Sequence, residues 1–482
     1  MAETQNNIPI LHRKEWQTMM PAPVTTAVGM FMIKDKIGKY NMYLTSATVH
    51  YLYNASEDDW IQIESGAFGT AIGAGACGDY GDWSLTYTAT GGTTTTVNVN
   101  AAVSNIKGFV VGQTIEFLSG TAANIGLRRT ITGIYHPGTA TGTIILTLDS
   151  SVGGSVANSD TFRISSGMFY VLMPGTLTAT SFRKYDLATG VWTSCTNTGL
   201  PASWGTDGQM IVLGDIDIVH DTGTATAGAA TTITDSGASW GTDQFINYQV
   251  RITAGLGIGQ IRRITANTGT QITVASSWTT NPDATSQYAI ECDENAIYLM
   301  GNNAVTMYKY SISANSWATV SPTTARAGAA IAGMTADYIR YTGNSTWASL
   351  TALKNGKYIY SFRGGTAVLD RFDITGGTAG AGAWDVIAYA PLITTFAAGD
   401  SSDYAGEFIY IAKEGTAAIP QRFYKYSVVN NTFDPVTTDW YLNGAAVIGN
   451  KMFLKYLSSE RNILWLYNLG STSTNLRRIM LF

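Results

Sequence analysis

Met307-Tyr-Lys-Tyr-Ser-Ile-Ser-Ala-Asn-Ser-Trp317 reads as one antiparallel hairpin. Large side chains alternate along the first strand, Ser-Ala-Asn-Ser supplies the turn, and a tryptophan opens the return strand. The same pattern recurs as Tyr51-Leu-Tyr-Asn-Ala-Ser-Glu-Asp-Asp-Trp60 and as Phe182-Arg-Lys-Tyr-Asp-Leu-Ala-Thr-Gly-Val-Trp192. It returns as Leu369-Asp-Arg-Phe-Asp-Ile374 leading to Trp384, and as Phe423-Tyr-Lys-Tyr-Ser-Val-Val-Asn-Asn-Thr-Phe433. A degenerate sixth copy, Ile463-Leu-Trp-Leu-Tyr-Asn-Leu469, leads to Leu476.

Spacing converts the repeat into an architecture. The turn-closing aromatics fall at 60, 192, 317, 384 and 433. The last two gaps suit a blade-sized repeat of roughly 50 residues, whereas the first two are far too long for one blade. Each long gap therefore predicts an inserted domain. Composition agrees with short strands and tight turns. The 482 residues include 51 Gly, 26 Tyr and 12 Trp, and only 13% are charged, against about 25% in an average soluble domain.

The form aromatic-x-Tyr-(Asp/Ser/Asn)-x-x-x-(Asn/Gly)-x-Trp resembles the outer hairpin of a kelch blade. The kelch double glycine is clear only at Gly364-Gly365, so the chain is similar to a divergent member. The resemblance implies a β-propeller.

The two insertions look like copies of one module. Both open on Thr/Gly/Ala runs, from Thr86 and from Asp221. Both carry a glycine turn and an arginine pair, Asn124-Ile-Gly-Leu-Arg-Arg129 and Gly257-Ile-Gly-Gln-Ile-Arg-Arg263. The pairs Arg128-Arg129 and Arg262-Arg263 are expected to be counterparts. The module reads as a five- or six-stranded barrel. Its segments 234–240, 248–255 and 259–268 resemble a repeat of tailed-bacteriophage structural proteins. That resemblance implies a virion component.

The expected fold is thus all-β: a six-bladed kelch-like β-propeller with two inserted small β-barrel-like domains and an extended N-terminal arm. Expected boundaries are an arm at 1–26, blade one at 27–85 and a first module at 86–166. Blade two follows at 167–220, a second module at 221–291 and blades three to six at 292–482. The arm mixes prolines with Ile8, Ile10, Leu11, Trp16, Met19 and Met20, and such apolar content favours docking on a neighbour over a disordered tail.

Chemistry is sparse. The four histidines stand at no metal or triad spacing. Asp215 and Asp217 would share a strand face, but a solvated strand end is the simpler reading. Gly73-Ala-Gly75-Ala-Cys-Gly78 matches a dinucleotide fingerprint by letters alone, with no helical period behind it. Glu57-Asp58-Asp59 reads as a solvent-facing hairpin tip. The net charge of −5 argues against a general nucleic-acid binder, and the arginine pairs are too short to grip a duplex. Three scattered cysteines fit neither a disulfide framework nor a zinc site, the segment Met1 to Asn7 is polar and has no apolar h-region, and no stretch approaches the length of a membrane helix.

The expectation is a non-enzymatic virion protein assembled in the host cytoplasm, a tail or neck hub or nozzle-like ring in preference to a head decoration. It would use no cofactor, metal, specific nucleic acid or membrane. Its partners would be other virion proteins and copies of itself in a ring. The rival is a propeller that binds or cleaves carbohydrate, with Trp and Tyr as stacking platforms.

Overall fold

The computed structural model describes residues 86–101, 109–138, 141–186, 191–205, 208–213, 217–246 and 248–293, most of 296–337, and the strands named below with their short adjoining turns. Every regular element among them is a strand.

Six four-stranded antiparallel sheets form the blades. Blade one runs Ala27–Lys34, Tyr40–Ser46, Val49–Asn54, Asp59–Ser65. Blade two runs Cys77–Trp83, the second half of Asn158–Leu172, Phe182–Asp186, Val191–Ser194. Blade three runs Gln209–Leu213, Ala296–Met300, Met307–Ser311, Ser316–Thr319, and blade four Ala330–Asp337, Tyr358–Arg363, Val368–Asp373, Ala383–Tyr389. Blade five runs Ser401–Ala405, Phe408–Lys413, Arg422–Ser427, Thr432–Phe433. Blade six has Gly449–Leu457, Ile463–Gly470 and Thr474–Met480, and its outermost strand is Gln17–Thr18 from the other end of the chain.

The first strand of each blade lies beside the first strands of both neighbouring blades, from Ala27–Lys34 round to Gly449–Leu457 and back. The six blades close into a ring. Gln17 pairs with Arg478 and Thr18 with Arg477, so part of the N-terminal arm completes a blade of its own chain. Ile8, Ile10, Leu11, Trp16, Met19 and Met20 lie outside the described residues.

The aromatic repeat has a single structural meaning. Tyr53 pairs across its hairpin with Trp60, Tyr185 with Trp192, Tyr310 with Trp317, Phe372 with Trp384 and Tyr426 with Phe433. Ring centroids in these five pairs are 5.0 to 5.2 Å apart. In the degenerate sixth copy Tyr467 faces Leu476. Such tilted pairs contribute about 0.5–1.5 kcal/mol each beyond area burial.

The inner strand of blade three is apolar on both sides because both sides meet a blade. In Gln209–Leu213, Met210 and Val212 pack into the core shared with blade two, and Ile211 and Leu213 into the core shared with blade four. The period of two turns one strand into a spacer between two cores.

Two blade boundaries differ from the sequence expectation. Cys77–Trp83, assigned above to blade one, is the inner strand of blade two, and Gln209–Leu213, assigned to blade two, is the inner strand of blade three. The aromatic signature marks only the outer hairpin, so a following inner strand was credited to the blade before it.

Each insertion occupies the connection between the first and second strands of its blade, in blades two and three. The first closes a six-stranded barrel from Tyr87–Gly92, Thr96–Asn100, Thr143–Leu148, Arg128–Tyr135, Thr114–Ser119 and the first half of Asn158–Leu172. The 15-residue strand Asn158–Leu172 thus belongs to barrel and blade at once, with a register shift between Ser165 and Met168. The second module repeats the order with Asp217–Thr224 and Ala227–Ala229, Thr232–Thr234, Gln271–Val274, Ile261–Asn267, Gln249–Ala254 and Gln287–Asp293. Each barrel has its own core, around Ile115, Phe117, Ile131 and Ile164 in the first and Val250, Ile252, Ile264 and Ile290 in the second.

Candidate anion-binding cleft between the inserted modules

Backbone hydrogen bonds fix which residues of the two barrels correspond. Gly126 N–H donates to Phe117 O at 2.8 Å, and Gly259 N–H donates to Ile252 O at 2.8 Å. Both glycines have left-handed backbone, φ +79° and +86°, a conformation that costs glycine little. Three residues beyond each comes an arginine, Arg129 and Arg262. The expected pairing of Arg128-Arg129 with Arg262-Arg263 is therefore corrected by one position: Arg129 matches Arg262, and Arg128 matches Ile261. Letters aligned the two Arg-Arg pairs, but the turn sets the register.

The two guanidinium groups are held in the same way. Arg129 donates from Nε and Nη2 to Ser151 O at 3.0 and 2.7 Å, and from Nη1 to Arg128 O at 2.7 Å. Arg262 donates from Nε and Nη2 to Ser277 O, both at 3.0 Å, and from Nη1 to Ile261 O at 2.9 Å. Neither makes an ion pair with a carboxylate among the described residues. Arg262 also lies over the Trp278 ring, 5.5 Å from its centroid, and burial pushes its pKa down.

The modules meet at this point. A Cβ on Gly126 would stand 3.6 Å from that of Arg263 in the other barrel. The junction holds an open cleft of about 270 Å³, lined by Arg128 and Arg129 of the first module and by Gln249, Arg251, Gln260 and Arg262 of the second. Gln260 anchors one wall: its Oε1 accepts from Thr279 N–H at 2.7 Å, and its Nε2 donates to Thr280 O at 2.8 Å.

Beneath the cleft lie two buried carboxylates. Glu116 accepts from Arg163 Nε and Nη2 at 2.9 and 2.6 Å, and Arg128 stands 3.6 Å away. Burial alone would raise the Glu116 pKa, but Arg163, Arg128 and, across the junction, Arg263 hold it below the ordinary value. Glu291 accepts from Arg251 Nε at 3.1 Å and from Gln249 Nε2 at 3.0 Å. Register places Glu116 and Arg251 at equivalent strand positions, so the two copies carry opposite charge at one site.

Other residues singled out from the sequence stand apart from the cleft. Glu57 and Asp59 are exposed at a hairpin tip, where Asp58, at φ +51°, accepts from Tyr53 Oη at 2.6 Å. Asp215, Gly73 and Gly75 lie outside the described residues, and Gly78 sits in the inner strand of blade two. His220 packs against Tyr248, ring centroids 4.4 Å apart and planes tilted by 54°. No group of three His, Cys, Asp or Glu side chains among the described residues is placed to hold a metal ion. Both arginine pairs are visible in the sequence, where each alone is too short to mark a site. Their recurrence at one place in a duplicated module was the signal that could have joined them.

No known protein family and no curated protein matches the sequence. Among solved structures, the chain is similar to the crystal structure of RRP9 WD40 repeats, at 7% identity over 97% of this chain and 98% of that one, with a TM-score of 0.36. It is also similar to a catalytically inactive virginiamycin B lyase from Staphylococcus aureus with quinupristin, at 10% identity over 97% and 99%, with a TM-score of 0.34. The six-bladed ring rests on this chain's own strand pairings.

Proposed function

We propose that this chain is a non-enzymatic structural component of a tailed-phage virion, in a tail or neck position, and that it works through protein–protein interfaces. The observation that carries the reading is the placement of the two barrels. Both occupy the first-to-second-strand connection of adjacent blades. Inner strands around a propeller run in one sense, so both barrels leave from the same end of the ring. The duplicated module, whose sequence resembles repeats of tailed-phage structural proteins, is thereby shown twice on one face. That suits a bivalent contact surface, because linked sites raise avidity without new contacts.

The mass of the purified full chain in solution, with class averages of its particles, tests the proposal. Rings of six or twelve copies are expected. A monomer or trimer that clears a polysaccharide gel overturns it in favour of the carbohydrate-active rival.

A further inference from the structure

We infer that the cleft between the two modules is an oxyanion-binding site, taking a carboxylate or phosphate group between Arg129 and Arg262. The site does not depend on the virion reading. Its two arginines come from equivalent positions of a duplicated barrel and line the same cleft of about 270 Å³. Each is fixed by three hydrogen bonds to backbone carbonyl oxygen, so little side-chain freedom remains to be lost on binding.

Those carbonyls orient the guanidinium groups without neutralising them. Carbonyl oxygens use three N–H groups of each fork, and Thr279 Oγ1 accepts a fourth from Arg262 Nη2 at 3.3 Å, so two N–H donors remain on Arg129 and one on Arg262. A planar cation with free donors matches a two- or three-oxygen anion in geometry as well as charge. The carboxylates at this junction do not satisfy that demand. Glu116 is committed to Arg163 and Arg128, and Glu291 to Arg251 and Gln249. Both are buried, with side-chain exposures of 2% and 0%.

Packing places the positive charge at a seam between two barrels, where low-dielectric walls focus the field. An exposed arginine row would be screened by salt over about 8–10 Å. Inside a cleft, with Arg262 partly desolvated against Trp278, the screening is weaker. The floor and walls are short-range and mixed, Gln249 and Gln260 beside the stems of Leu127 and Ile261. This suits a discrete anionic group on a small ligand or at a chain end rather than the backbone of a duplex.

Thermal unfolding of the full chain at fixed ionic strength tests the site, with inorganic phosphate and with glucuronate as probes against chloride. At least one probe should raise the melting temperature saturably. The shift should disappear in the Arg129→Gln/Arg262→Gln double variant, and each single variant should weaken the midpoint roughly tenfold. Phosphate alone acting assigns phosphate esters, glucuronate alone assigns acidic sugars or peptides, and competition assigns both. Phosphorus NMR line broadening of phosphate on the unmodified protein, relieved or not by glucuronate, gives the same reading if the double variant does not fold. No shift and no broadening with either probe, or a shift that the double variant retains, overturns the inference.

Discussion

Tyr310 faces Trp317 across the outer hairpin of blade three, ring centroids 5.0 Å apart, and between them Asn315 ties blade three to blade two. Asn315, at φ +48°, accepts from Tyr310 Oη at 2.6 Å and from Thr196 N–H at 3.0 Å. Trp317 Nε1 donates to Thr196 O at 3.0 Å. Blade one repeats the arrangement with Tyr53, Asp58 and Trp60. The turn residue of the repeat is thus a short polar side chain that tolerates left-handed backbone and caps its own tyrosine.

This geometry orders three substitutions. Trp317→Ala removes a buried ring and its bond to Thr196, and should cost about 3–5 kcal/mol of stability. Asn315→Ala loses two hydrogen bonds and keeps a Cβ in left-handed backbone. Asn315→Gly loses the same bonds but relieves the backbone, so it should melt higher than Asn315→Ala. Denaturant midpoints of the three variants check the ranking, and an Asn315→Gly variant less stable than Asn315→Ala refutes it.

Glu116 carries the pH dependence of the module junction. Its folded pKa lies below the ordinary 4.5, so its contribution is complete above that value. As pH falls through the folded pKa the carboxylate takes up a proton and the contribution is lost. Glu116→Gln leaves Arg163 buried without its anion and should cost about 3–5 kcal/mol at neutral pH. Melting curves across the acid range should show the gap between wild type and variant narrowing below the ordinary glutamate value. A gap independent of pH contradicts the pairing.

Cys77 and Cys195 lie buried in the core between blades two and three, and neither is in a disulfide. Burial raises the Cys195 pKa, against smaller opposing effects of Lys184 and Tyr310, so less thiolate exists at any given pH. Alkylation at mildly alkaline pH followed by peptide mapping should leave both thiols unmodified in the native protein and label them in denaturant. Rapid native labelling of either would place it outside the core.

The second barrel should be removable. Leu213 pairs with Ala296 at the last described rung of blade three before the insertion. Fusing Gly214 to Asn295 leaves a two-residue Gly-Asn turn, a hairpin connection. The shortened chain should keep a β-type far-UV spectrum and a cooperative melt, while losing the anion response because Arg262 is gone. Aggregation without a cooperative transition would show that the ring needs the module.

The hairpin repeat was legible because each Tyr–Trp spacing encodes a local event, two strands and a turn whose side chains meet across one ladder. The inserted modules were legible for a related reason: a ring with blades of similar size leaves no other use for the excess length between Trp60 and Trp192. Inner strands such as Cys77–Trp83 were credited to the wrong blade because their pairing is long-range. Cys77 faces Leu172 across an entire barrel of intervening chain, and nothing local marks that partner. The cleft was hidden for the same reason. Arg129 and Arg262 each look like an ordinary surface cation, and only the ring, by setting two first-to-second-strand connections side by side, makes them walls of one space. Sequence by itself determined the strands, turns and duplication of this protein, since these follow from side-chain period and backbone freedom. Tertiary structure alone decided which strand completes which blade, how Arg129 matches Arg262, and where their charge is concentrated, because those depend on contacts between residues far apart in the chain.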